Sequence, residues 1–252
     1  MEPAIRDPKK LRNTALILVG MMILGGTLIL TAYEKWSLGK AKDDRPAVTY
    51  RITKERDLRM LRQDGQAADI ADLRGKVIAL HVTSLRDPEA AARSLAVMKR
   101  LAAARAEQAD FQQISLIVDP LPAEKLAQTL AETAAAQGMA LPKWWLGSNE
   151  PKTLHKFIKN ELKANTYPNE NSGKWDYDAS IVLIDRDGHI RRAVVPQKQG
   201  GPPFIATFDF EQAADWDAKG VKTGTSRNNV EELEVLLNTT LDKLLAEPPS
   251  KS

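Results

Sequence analysis

The sequence predicts an α/β fold, a central mixed sheet flanked by helices, carried behind a single N-terminal transmembrane helix. Three observations predict it. An apolar run at 77–82, opened by Gly75-Lys76 and closed by Thr83-Ser84, leads directly into a helix beginning at Pro88. The strand-then-helix alternation repeats, and is closed by the clearest hairpin signal in the chain, two strand-like runs around Arg186-Asp187-Gly188. Residues 13–33, NTALILVGMMILGGTLILTAY, carry no charge and at the helical rise are long enough to cross a bilayer.

Composition narrows the function. The 252 residues are 43% hydrophobic and 27% charged, enough for one sizeable core with an appendage. The net charge of +3 arises from mixed charges spread along the chain, without the basic block or aromatic platform that nucleic-acid binding needs. Because the chain has no cysteine, disulfides, thiol catalysis, iron–sulfur clusters and cysteine-ligated zinc are all excluded. There is no P-loop, dinucleotide fingerprint or ordered Ser-His-Asp set, and Gly200-Gly201 reads as loop. The expectation is a non-enzymatic protein without a cofactor.

Taken in order, residues 1–12 are read as a cytoplasmic N-terminus. Lys9, Lys10 and Arg12 precede the apolar helix, while Glu34 and Lys35 balance after it, so the positive-inside bias sends the remainder to the exported side of an inner, cytoplasmic membrane. A cleaved signal peptide is the competing reading, disfavoured by the length of the run and the lack of a small-x-small site. Residues 34–46 are polar and read as a tether to a domain at 47–246. Within it, Asp64-Gly65 predicts a hairpin laid over the front of the domain. The helix at 88–108 spaces Ala92, Leu95, Met98, Leu101 and Ala102 as an apolar stripe. A strand at 113–118, a helix at 122–137 stopped by Gly138, a short strand at 143–146 and a helix opened by Glu150-Pro151 follow. On that short strand, alternation is expected to bury one of Trp144 and Trp145 and expose the other. A long Gly/Pro/aromatic loop at 196–226 precedes a closing amphipathic helix at 229–246, with 247–252 as a tail.

The order of these elements and their local wording resemble the Sco/SenC family, membrane-anchored thioredoxin-like proteins that help deliver copper to cytochrome c oxidase. The resemblance runs over about 50–246. Its pieces are Asp64-Gly65-Gln66, Asp72-Leu73-Arg74-Gly75-Lys76-Val77, Thr83-Ser84, Val118-Asp119-Pro120, Trp145-Leu146-Gly147 and the run from Val182 to Gly188. It implies a thioredoxin-like fold whose working residues sit after the first central strand, where unpaired backbone N–H groups stabilise a thiolate. It also implies a copper site of two cysteines and a histidine. Those positions fall on Leu85, Glu89 and Tyr177, none of which suits Cu(I).

The reading that follows is a membrane-anchored, non-catalytic homologue acting as a binding or scaffold element of a membrane complex, a respiratory one by the resemblance, with neither nucleic acid nor a small-molecule substrate as partner. The alternative is a copper-delivery factor for cytochrome c oxidase using other ligands, such as His81 and a methionine. His81 lies in an apolar strand, His155 on a helix and His189 beside a turn, positions that do not converge. Asp87-Pro88-Glu89 reads as a capped helix start. Phe204, Phe208, Phe210 and Trp216, large apolar groups in a long connection, are candidates either for docking a partner or for capping the domain's own core.

Overall fold

A computed structural model describes residues 8–41, 45–196, 203–222 and 226–248. The ends of the expected N-terminus, tether and tail, together with Gly200-Gly201 and Pro202, lie outside the described residues. The chain divides into two units, 1–44 with 195–204, and 45–194 with 205–252. In the first, Pro8–Ala41 is one continuous helix, α1. Its segment Pro8–Lys35 is long and apolar enough to cross a membrane, with a mean hydropathy of 2.3.

The second unit holds a mixed sheet. Its strands are β1 (Ala47–Arg51), β2 (Arg59–Arg62), β3 (Ala67–Asp69), β4 (Val77–Thr83), β5 (Phe111–Ile117), β6 (Trp144–Ser148), β9 (Val182–Ile184) and β10 (His189–Val195), with β11 (Phe204–Ala206) beside β10. A separate hairpin is made by β7 (Asn169–Asn171) and β8 (Lys174–Asp176). The helices are α2 (Ala92–Ala104), α3 (Ala123–Gln137), α4 (Pro151–Asn160), α5 (Phe210–Ala218) and α6 (Asn229–Ala246). The order β1-β10-β9-β4-β5-β6-β2-β3 places β4 at the centre, with β5 and β6 parallel to it and β9 antiparallel. Parallel neighbours joined through helices, closed on the other side by an antiparallel pair, make this a thioredoxin-like fold.

All of β4 and β5 is buried, as expected of central strands covered on both faces. Ile78, Leu80, Val82, Ile114 and Leu116 face a core closed by Leu154, Phe157 and Ile158 of α4. Fully burying each such side chain stabilises the fold by about 1.5–3 kcal/mol. The alternate residues face α2, where Gln113 Nε2 donates to the Met98 carbonyl. Ion pairs Arg100–Glu234 and Arg105–Asp242 fasten α6 beside α2.

Several elements depart from expectation. The hairpin about Asp64-Gly65 forms, but β2 pairs with β6 and so extends the sheet edge instead of covering the front. Gly147 permits that pairing, since a Cβ there would overlap the Met60 side chain. Pro88–Ala91 is a 3-10 turn, and α2 begins only after it. The buried face of α2 is Ser94, Val97, Met98 and Leu101, leaving Ala92, Leu95 and Ala102 at its flank. The N-terminus of α2 is capped from α5, where Glu211 Oε1 accepts from Arg93 N and Ser94 N. Trp144 and Trp145 are both buried because each face of β6 is covered. Trp144 Nε1 donates to Ser115 Oγ at 2.8 Å, and the Arg62 guanidinium lies 4.6 Å from the Trp145 ring centroid. The supposed loop at 196–226 contains β11 and α5.

Two pieces of the resemblance lock together. Gly75 N donates to the Arg186 carbonyl and Ile52 N to the Gly188 carbonyl. Gly188 has φ +83, and any Cβ there would overlap the Arg74 guanidinium, which itself donates to the Ile52 carbonyl. Arg186 then reaches the end of α6, donating to the carbonyls of Leu244, Leu245 and Glu247.

Candidate functional site

Because β4 ends at Thr83 beside the end of its parallel neighbour β5, the turn at 84–87 meets the segment that leaves β5. In thioredoxin-like folds this is where a functional group faces backbone donors. Here the donors are taken by Asp119, whose side chain is 1% exposed. Its Oδ2 accepts from Leu85 N at 2.6 Å, and its Oδ1 from Ser84 Oγ at 3.0 Å and Arg86 N at 3.4 Å. Ser84 Oγ in turn accepts from Arg86 N and Asp87 N, both at 3.1 Å. The turn is thus closed around an internal carboxylate.

Arg86 completes the closure from outside. Its Nε lies 3.8 Å from Asp119 Oδ1, and its Nη1 donates to Glu170 of β7 at 3.1 Å. Below, His155 Nε2 lies 2.8 Å from the Val118 carbonyl and donates to it. The rings of Tyr167 and Trp175 contact the same imidazole edge to face.

Of the positions implied by the resemblance, Leu85 is half-buried in the turn, Glu89 is exposed on the 3-10 turn, and Tyr177 is half-buried beside Thr83 and Ser84. The Tyr177 hydroxyl is buried beside the Ser84 backbone and the Thr83 side chain, yet makes no hydrogen bond among the described residues. Burial, reinforced by the carboxylates of Asp87 and Asp119, raises its pKa well above the ordinary phenol value. The phenol therefore stays neutral. Leucine, an exposed carboxylate and a neutral phenol do not fit Cu(I), which takes soft sulfur or imidazole. Asp87 makes no side-chain cap, contrary to its expected role; its own N–H is held by Ser84 Oγ, and Pro88 opens the 3-10 turn.

Ser84 and Asp119 do not form a nucleophile and base. Ser84 is 2% exposed, its oxygen already accepts two backbone N–H groups, and the imidazole of His155 is committed to Val118. His81, on the other face of β4, is fully buried, with Nδ1 3.2 Å from Ser115 Oγ. Asp185, Asp187 and His189 converge closely enough to hold an ion. Asp185, however, is spent on the turn itself, with Oδ1 accepting from Asp187 N and His189 N and Oδ2 facing His189 Nδ1 and Arg191 Nη1. Burial pushes its pKa up, but these donors outweigh burial and hold it below the ordinary value.

The aromatic candidates separate. Phe208 and Phe210 are 2% and 0% exposed, so they close the domain's own core and cannot belong to a docking surface. Phe208 bridges the distant Ile181, and Phe210 opens α5 behind an Asp209 cap. Phe204 and Trp216 are exposed. The sequence places Asp119 among the pieces of the resemblance without giving it a role, and does not single out Arg86. The available signal was an acidic residue at the end of a strand parallel to one ending in Thr-Ser.

No family model matches the chain, and no curated protein does. Several solved structures resemble it. They include the soluble domain of Sco1 from Bacillus subtilis, at 18% identity over 72% of this chain and 99% of that one, with a TM-score of 0.44. Copper-bound ScoI from Bradyrhizobium japonicum is 22% identical over 64% and 96% of the two chains, with a TM-score of 0.44. A SCO1/SenC family lipoprotein from Bacillus anthracis is 20% identical over 62% and 89%, with a TM-score of 0.45.

Proposed function

We propose that this chain is a membrane-anchored, thioredoxin-like protein without redox or copper chemistry, serving as a binding or scaffold element of a membrane complex. The observation that carries this reading is the filling of the turn after β4 by Asp119. Donors at Ser84, Leu85 and Arg86 that could face a substrate thiolate or ligand are spent on an internal carboxylate. The complex is a respiratory one by the resemblance of the sequence motifs. Anchoring by α1, with the N-terminus cytoplasmic and the domain on the exported side, is supported by the length and apolarity of that helix and by Lys9, Lys10 and Arg12 before its uncharged stretch. The exposed aromatics Phe204 and Trp216 are the remaining candidates for contact with a protein partner.

Competition between the full-length protein in detergent and a Cu(I) chelator tests the reading. The expected outcome is complete transfer of copper to the chelator. Stoichiometric retention that disappears in His81→Ala would overturn it in favour of copper delivery through other ligands.

A further inference from the structure

The 3-10 turn Lys54–Arg56, Arg59 at the start of β2 and the outer side of α4 make one basic surface. Lys152, Lys156 and Asn160 face outward along α4 while Leu154, Phe157 and Ile158 pack inward. Contacts at both ends of α4 bind the pieces together. At its start, the Asn149 amide donates to the Arg59 carbonyl. At its end, the Tyr50 hydroxyl donates to Glu161 at 2.7 Å and accepts from Arg56 Nη1 at 3.1 Å, while Lys163 Nζ lies 3.7 Å from the centroid of the same ring.

Of the carboxylates nearby, Glu55 is exposed between Lys54 and Arg56, and the others accept from internal donors. Glu150 accepts from Lys152 N and Thr153 N, Glu161 from Tyr50, and Asp57 from Ala71 N. Lys54, Arg59, Lys152 and Lys156 are all exposed, and none forms a salt bridge among the described residues. Lys54, Arg56, Arg59, Lys152, Lys156 and Lys163 outnumber Glu55, Asp57, Glu150 and Glu161, which gives the surface a positive potential that an anionic surface complements.

We propose that this face of the domain docks on the anionic headgroups of the bilayer that holds α1, an inference that rests on reading α1 as an anchor. Chain length supports it. β1, which carries Tyr50, begins six residues after the end of α1 at Ala41, and α1 runs six residues past its apolar segment ending at Lys35, so chain length keeps the start of β1 within about 30 Å of the bilayer. The tether therefore keeps this end of the domain near the headgroups, where a high effective concentration lets modest attraction suffice. Each basic residue close to such a surface shifts the docking equilibrium about fivefold. Docking by α4 turns the opposite face of the sheet, with α2 and α6, away from the lipid.

The test uses the full-length chain in nanodiscs of phosphatidylcholine, alone or mixed equally with phosphatidylglycerol, each doped with a nickel-chelating lipid. Because the chain has no cysteine, Asn160→Cys on α4 and Val235→Cys on α6 each accept one nitroxide. The label at 160 is expected to broaden in anionic discs at about 0.1 M salt and to recover at about 1 M, where screening is nearly complete. It should also recover in phosphatidylcholine alone and in Lys152→Glu/Lys156→Glu, whose far-UV circular dichroism checks the fold, while the label at 235 stays sharp throughout. A protein that co-elutes with the discs but whose label at 160 is silent, indifferent to lipid charge, or no broader than that at 235 overturns the docking and leaves the anchor standing. Failure to co-elute with the discs overturns the anchor and the docking together.

Discussion

His81 carries the clearest consequence of burial at the scale of one residue. Its imidazole is fully buried between neutral partners, Nε2 has no hydrogen bond among the described residues, and burial lowers its pKa to about 4 from an ordinary 6.5. The folded state therefore holds neutral His81 at pH values where the unfolded chain has already taken up a proton. Stability is present in full above about pH 6.5 and is lost as pH falls toward 4, by on the order of 3 kcal/mol, with no further loss from this group below that. Denaturant melts at pH 7 and pH 4.5 should show this decline, and His81→Gln should remove most of it. An unchanged decline in the variant would assign the acid sensitivity elsewhere. Asp119 illustrates the other course for a buried polar group, since its carboxylate is matched to several donors rather than left alone.

Between elements, the hairpin turn at 185–188 and the end of α6 depend on each other. The Arg186 guanidinium satisfies carbonyls of Leu244, Leu245 and Glu247 that the helix leaves without intrahelical partners, and places positive charge at the negative end of the helix dipole. Arg191 adds a second clamp, pairing with both Asp185 and Glu247. Arg186→Ala should cost about 2–4 kcal/mol, since buried carbonyls lose a charged donor. Hydrogen exchange should rise first in the last turn of α6. Uniform loss of protection across the sheet, with the helix end no worse than the rest, would contradict the clamp.

For the whole molecule, the two pairs of aromatics make opposite predictions. Phe208→Ser removes a buried ring and should cost about 3–5 kcal/mol, lowering Tm by roughly 10 °C for a domain of this size. Phe204→Ser and Trp216→Ser alter exposed side chains and should leave Tm nearly unchanged while reducing recovery of the proposed membrane partner in a gentle detergent pull-down. Full partner recovery in either variant would remove that aromatic from the proposed partner contacts. Much of this arrangement was legible along the chain. Residues 13–33 announce a bilayer-length helix, the apolar runs at 77–82 and 113–118 announce central strands, and Arg186-Asp187-Gly188 announces the hairpin, because periodicity and turn chemistry act over a few neighbouring residues. The absence of cysteine and the identities of Leu85, Glu89 and Tyr177 are likewise properties of the sequence alone, and by themselves they exclude thiol chemistry and the copper ligands that the resemblance implies. Only the tertiary structure decided that Asp119, 35 residues beyond Ser84, fills the turn, that Phe208 and Phe210 face inward, and that Arg186 serves α6. Each of those outcomes depends on partners brought together across the fold, and burial and hydrogen-bond satisfaction are set by such distant neighbours, which no local pattern encodes.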